Sequence, residues 1–233
     1  MRLDALLSRL GFGSRSETQR LIRAGKVRLD GETVTDPSRS FREEKLFVNG
    51  AETDTRLKRT ILMNKPKGLL TAAEDPRQET VFSILPRVYA KLSCMPVGRL
   101  DKDTTGALLF TTDGELAHRL ISPKRDIEKV YVARVDTALC PEDIEAFSKG
   151  VVCSDFTAKP ALLTILEPNT ARITVTEGKY HQVKRMLKAR GHETLSLKRI
   201  RFGPIVLDEA LQEGSYRELT EEETAALYRA AGM

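Results

Sequence analysis

The chain has 233 residues, 40% of them hydrophobic and 30% charged, and carries a formal net charge of +5 at pH 7. That balance describes an ordered protein with a sizeable core and excludes a disordered polyelectrolyte, and no apolar run reaches the ~20 residues of a membrane span. Cys94, Cys140 and Cys153 include no Cys-x-x-Cys pair, and any disulfide would leave one unpaired, which points to reduced thiols in a cytoplasmic protein. Met1-Arg2-Leu3-Asp4 reads as the start of an amphipathic helix and not as a signal peptide.

Residues 1–48 read as one small unit. Leu3, Leu6, Leu7 and Leu10 form an apolar stripe at helical spacing, ended by Gly11-Phe12-Gly13. Ser14 and Glu17 make a capping box, which predicts a second helix from about Arg15 to Ala24 with Gly25 just past its end. Lys26-Val27-Arg28-Leu29 alternates like a strand, and Asp30-Gly31 is a hairpin signal leading into Glu32-Thr33-Val34. The polar positions here are Arg9, Arg15, Arg20, Arg23, Lys26 and Arg28, a concentration of positive charge that suits a polyanion. Residues 49–59, opening on the small and polar Asn49-Gly50-Ala51-Glu52-Thr53-Asp54, read as a linker.

A second domain is expected over 60–233. It opens with a strand, Thr60–Asn64, stopped by Lys65-Pro66-Lys67-Gly68. Further on, Ala107–Phe110 is strand-like and Thr111-Thr112-Asp113-Gly114 turns after it. Strand-like runs at Tyr131–Val135, Ala161–Ile165 and Ala171–Val175 mix with helical ones at Glu115–Ile121, Pro141–Lys149 and His181–Arg190. An acidic final helix opens at Glu221-Glu222-Glu223. Strands and helices without regular alternation predict an α+β fold with a largely antiparallel sheet and flanking helices.

His118, His181 and His192 are scattered and no Cys/His ligand spacing occurs, so no metal site is expected. No Gly-x-Ser-x-Gly elbow, phosphate loop or Gly-x-Gly-x-x-Gly turn is present, and no cofactor is expected either. Acid chemistry supported by basic groups remains. Asp101 sits in Gly98-Arg99-Leu100-Asp101-Lys102-Asp103-Thr104-Thr105-Gly106, an acid among cations at a strand-to-loop junction. In Glu128–Val135, alternation puts Lys129, Tyr131 and Ala133 on one face. In Glu177–Lys188, a helical second half puts Val183, Met186 and Leu187 on one face and Lys184, Arg185 and Lys188 on the other. Residues 170–205 hold nine Lys/Arg against only Glu177 and Glu193. Taken singly, Asp101 reads as a turn cap, Tyr131 as a strand core residue, and Lys184 with Arg185 as a solvated helix face.

Taken together and in order, these words resemble a known family. Residues 1–48 resemble the S4 RNA-binding domain through Arg2-Leu3-Asp4, Ser14-Arg15-Ser16-Glu17 and Ile22-Arg23-Ala24-Gly25-Lys26-Val27. The rest resembles the pseudouridine synthases, in the RsuA-type branch acting on ribosomal RNA. Met63-Asn64-Lys65-Pro66-Lys67-Gly68, the Gly98–Gly106 run, Glu128-Lys129-Val130-Tyr131 and Glu177-Gly178-Lys179-Tyr180-His181-Gln182-Val183-Lys184-Arg185-Met186 carry the likeness. The resemblance implies a cofactor-free isomerase that converts a uridine of ribosomal RNA, most closely 16S RNA at the uridine 516 type site, to pseudouridine. A large-subunit target or a non-catalytic RNA-binding protein is the alternative. It implies Asp101 as the essential acid, either nucleophile or base, with Lys184 as its paired cation and Arg185 as the fallback. It also implies Tyr131 stacking on the target base and Arg99 filling the gap left by the extracted nucleotide. Further RNA contacts are expected from Lys129, Lys179, His181, Gln182, Arg185 and Lys188, in a monomer acting on a small-subunit assembly intermediate.

Overall fold

The computed structural model describes residues 1–233, which divide into two compact units: Met1–Arg59 with Leu85–Cys94, and Thr60–Ile84 with Met95–Met233. In the first unit, helices α1 (Leu3–Arg9) and α2 (Arg15–Arg23) precede strands β1 (Val27–Leu29), β2 (Glu32–Val34), β3 (Leu46–Val48) and β4 (Ala51–Thr53). A short helix, α3 (Arg87–Lys91), comes from the returning segment. The leucine stripe of α1 is buried against Ile22, Val27, Leu29, Leu46 and Val48. Ser14 and Glu17 form the expected reciprocal cap on α2. The four strands run β2-β1-β3-β4, each pair antiparallel.

Two boundaries differ from the sequence reading. Asn49–Thr53 is the turn and second strand of a hairpin and not a linker. Asn49 and Gly50 adopt φ 52° and 85°, the two left-handed conformations that a tight hairpin turn requires and that this dipeptide supplies. The first unit therefore runs beyond residue 48, and it also takes in 85–94.

The second unit is built on one nine-stranded sheet whose main path runs through residues 216–218, 60–65, 105–111, 194–202, 129–135, 170–175 and 162–167. Its elements in chain order begin with β5 (Thr60–Lys65), β6 (Met95–Pro96), β7 (Thr105–Thr111), α4 (Gly114–Ile121), β8 (Lys129–Val135) and α5 (Pro141–Lys149). They continue with β9 (Leu162–Glu167), β10 (Thr170–Val175), α6 (Gln182–Ala189), β11 (Thr194–Phe202), β12 (Ile205–Val206), β13 (Tyr216–Glu218) and α7 (Glu221–Ala230). Every pairing is antiparallel except β7 with β11, which fits the α+β expectation. β11, the longest strand, is not evident within the basic run because its charges mask the alternation of a strand buried at some positions and cationic at others.

The β7–β11 junction explains Gly106. The glycine lies inside β7 and not in a turn, and a Cβ there would stand 2.2 Å from the carbonyl oxygen of Arg199. Its φ of 99° and the missing side chain let the two strands close at the floor of the site. Gly98, at φ 75°, does turn the chain between β6 and β7.

Candidate active site

Of the residues singled out in the second unit, Arg99, Asp101, Lys129, Tyr131, Lys179, His181 and Gln182 line one cleft of about 380 Å³, which Arg199 also lines. Asp101 lies on the connection between β6 and β7, strands that pair with each other, so the loop leaves and re-enters the same sheet. Its backbone is clamped on one side. The Lys65 ammonium, fully buried at the end of β5, donates to the carbonyls of Asp101 (3.1 Å), Lys102 (3.3 Å), Thr104 (3.1 Å) and Pro66 (3.1 Å). Thr71 Oγ1 donates to the Leu100 carbonyl at 2.8 Å and accepts from the Leu100 amide at 3.2 Å, while the Gly68 amide donates to Lys102 O at 2.8 Å. Burial lowers the Lys65 ammonium to about 8, against the partial support of the Asp103 and Asp101 carboxylates.

With its main chain held, the Asp101 carboxylate faces the start of α6. Lys184 Nζ is 3.1 Å from one oxygen and His181 Nε2 is 3.4 Å from the other. The Asp101 side chain keeps 24% of its surface exposed, and the residue lines the cleft. Lys184 also donates to Asp103 at 2.5 Å. Burial opposes the Lys184 charge, but the hydrogen bonds to Asp103 and Asp101 win and hold its ammonium above the usual lysine range. Asp103 is drawn down by the same lysine despite its own burial. The Asp101 carboxylate is paired on both oxygens, aimed and open on one edge, which suits nucleophilic attack or proton abstraction.

Arg185, the other basic candidate beside Asp101, points away. It pairs with Asp155 and stacks its guanidinium on Phe156, 4.6 Å from the ring centre. Lys188 is exposed outside the cleft. Gln182 lines the cleft, but both ends of its amide are engaged, accepting from the Lys179 amide at 2.9 Å and donating to Glu177 Oε1 at 2.8 Å. Lys179 bonds Thr157 O and lies over the Phe156 ring. Arg99 is exposed at the cleft.

Tyr131, in the middle of β8, stands opposite Arg199 of β11 and Ile173 of β10. Lys129, two residues earlier on the same face, is buried and donates to Thr176 O at 3.1 Å. Burial and then the neighbouring Arg199 charge lower its ammonium to about 8. Two members of the site are not apparent from sequence reasoning. Lys65 stands in the Asn64-Lys65-Pro66 word, where a lone lysine ending an apolar strand is the signal. Arg199 counts there only as one charge in a basic run, yet it is 2% exposed and lines the cleft.

In the first unit, Arg9, Arg20, Arg23, Lys26 and Arg28 are exposed and none pairs with a carboxylate. Arg15, expected among them, instead reaches the buried Asp4 at 3.5 Å, so part of its charge is structural.

Residues 59–189 match the RNA pseudouridylate synthase family and residues 1–45 the S4 domain. The chain is 44% identical over 230 residues to an uncharacterized RNA pseudouridine synthase, YtzG, of Bacillus subtilis (strain 168), covering 96% of each chain. It is 39% identical over 233 residues to ribosomal small subunit pseudouridine synthase A of Escherichia coli (strain K12), covering 97% of this chain and all of the other. A crystal structure of a pseudouridylate synthase superposes with a TM-score of 0.69 at 32% identity, over 97% of this chain and 99% of that one. The chain belongs to the RNA pseudouridylate synthase family and carries an S4 domain at its N-terminal end.

Proposed function

We propose that this pseudouridine synthase converts one uridine of small-subunit (16S) ribosomal RNA, of the 516 type, and acts as a cytoplasmic monomer on an assembly intermediate. Asp101 is the reacting acid. The observation that carries this role is its carboxylate, edged by Lys184 and His181, opening into the cleft that Tyr131 also lines. The likeness to the small-subunit enzyme over 97% of this chain and all of the other supports the RNA target.

Chemistry on a base requires lifting the nucleotide out of its stack, at a cost of a few kcal/mol. Arg99 at the cleft is suited to fill the gap, and Tyr131 to stack on the extracted uracil. The exposed cations of the S4 domain supply phosphate contacts that offset the cost. Within the cleft, the bond from uracil N1 to ribose C1′ breaks and its electron pair leaves with the base. Asp101 meets the sugar in one of two ways. Its carboxylate bonds to C1′, or it takes the 2′ proton, whose bonding pair then forms a C1′–C2′ double bond. The base turns and C5 joins C1′, displacing the Asp101 oxygen in the first route, or adding to the double bond as Asp101 returns the proton to C2′ in the second; N1 gains a proton and C5 loses one, so the net change is an isomerisation. Lys184 holds the carboxylate in position in either route, and Lys65 keeps its backbone in place.

Incubation with full-length small- and large-subunit RNA transcripts and assembly particles, followed by chemical mapping of pseudouridine, tests the target. A single new pseudouridine in small-subunit RNA is expected. Modification confined to large-subunit RNA would reassign the target, and none in any RNA would leave a binding protein.

A further inference from the structure

The floor of the cleft holds two buried cations that the ion pairs around Asp101 do not use. Arg199 Nε donates to Ala107 O at 2.7 Å and Nη1 reaches Tyr131 Oη at 3.5 Å, but Nη2 is buried with no hydrogen-bond acceptor in the protein. Its guanidinium carbon lies 6.0 Å from the Tyr131 ring centre and 5.1 Å from that of Phe202. Lys129 stands nearby over the same Phe202 ring, and neither cation is bonded to a carboxylate. Two like charges out of water, one with an unused donor, form a site shaped for an acceptor that carries negative charge.

We propose that Arg199, supported by Lys129, binds a carbonyl oxygen of the target uracil and stabilises the negative charge that collects there when the glycosidic bond breaks. The inference rests on the pseudouridine synthase reading of the cleft. Place and chemistry select the base over a phosphate. Arg199 is at the floor beside the hydroxyl of the tyrosine suited to stack on the base, whereas the RNA backbone must leave through the mouth to continue the strand. When the N1–C1′ pair departs with the base, the resulting uracil anion shares its charge between O2 and O4. A fixed cation in a site poor in water stabilises that anion more than the neutral base, so it acts on the rate and hardly on affinity. The same interaction holds the detached base until C5 reaches C1′.

The test is single-turnover conversion of saturating RNA substrate, with the dissociation constant and melting temperature measured on each sample. Arg199→Ala is expected to slow conversion about a hundredfold while RNA affinity stays within about threefold. Added guanidinium ion at non-denaturing concentration should restore a saturable part of the rate, and urea should not. Lys129→Met, which leaves the Arg199–Ala107 hydrogen bond in place, should slow conversion about tenfold. If Arg199→Ala does not fold, Arg199→Lys and Lys129→Met carry the test, and both must slow conversion at unchanged affinity. Unchanged rates, or a loss confined to affinity, would overturn the proposal, the second outcome marking a phosphate contact. Wild-type protein run in parallel separates the two readings: if it forms no pseudouridine, the function assigned to the cleft fails, whereas a normal wild-type rate with unaffected variants removes only the role of Arg199.

Discussion

Each unit of the molecule contains an aspartate gripped by cations, and the two are finished differently. Asp4, in the first unit, has a side chain with no exposed surface; Arg2, Arg15 and Gln19 together occupy both of its oxygens. The Arg2 hydrogen bonds, opposed by burial, hold its carboxyl well below the usual carboxylate range. Asp101, in the second unit, has one cation or imidazole on each oxygen and keeps an open edge toward the cleft. Pairing with cations alone therefore does not mark a reactive acid. Saturation marks a structural one, and an anchored backbone with an unsaturated carboxylate marks a site where chemistry can occur.

Substitutions that exchange these two conditions should separate the units. After Asp101 itself, the largest effects on rate are expected at Lys184 and, equal to it, at Arg199. Lys184→Met should lower single-turnover conversion by about two orders of magnitude, because the carboxylate loses the cation 3.1 Å away that orients it. A loss of less than about threefold would show that His181 alone suffices. Asp4→Asn should do the reverse, destabilising the first unit as the buried Asp4 side chain loses its charge-assisted hydrogen bonds to the exposed Arg2 and Arg15, while leaving the rate per folded molecule intact. Calorimetry and limited proteolysis read this directly, and an unchanged transition would make the Asp4 network ornamental.

The pH dependence sharpens the same contrast. Lys65 and Lys129 are charged below about 8 and neutral above it, so conversion should decline as pH rises through that value. A rate still level roughly two units higher would remove both ammonium groups from the working site. Stability has an acid limb of the opposite origin. Burial pushes the Asp143 carboxyl up, but hydrogen bonds from the Cys140 amide, Arg190, the Cys140 thiol and His192 bring it down to about 2. A depressed carboxylate contributes stability fully above its unfolded value near 3.8, and that contribution is lost as pH falls through the folded one. Asp143→Asn should flatten the fall in melting temperature between those values, and an unchanged slope would place the acid sensitivity elsewhere. The smallest effects belong to the exposed arginines of the S4 domain. Replacing Arg20, Arg23 and Arg28 with alanine should reduce the salt dependence of RNA binding by about one unit of slope for each phosphate that is no longer neutralised. An unchanged slope would show that α2 and β1 do not meet RNA.

Much of this is legible in the sequence because it is local. The Ser14–Glu17 cap, the leucine stripe and the Asp30-Gly31 turn each depend on residues a few positions apart. The Gly98–Gly106 run can be matched for the same reason. Which of two adjacent bases meets Asp101 is picked by the family likeness and not by helical spacing: Lys184 and Arg185 differ by about 100° around a helix whose phase is set by the packing of Val183 and Met186. Arg199 is hidden more deeply. A buried cation in a run of surface-type residues becomes visible only when β11 lies between β7 and β8 with Tyr131 across from it. Asn49-Gly50 carries a clear turn signal, and its small polar neighbours make it read as a linker.

The most direct measurement of the central claim is single-turnover conversion by Asp101→Asn, made on RNA whose binding to the same preparation is measured in parallel. The expected result is no detectable pseudouridine, a rate at least about a thousandfold below wild type, with RNA affinity and melting temperature unchanged. Conversion within tenfold of wild type by that folded, RNA-bound variant would contradict Asp101 as the reacting acid.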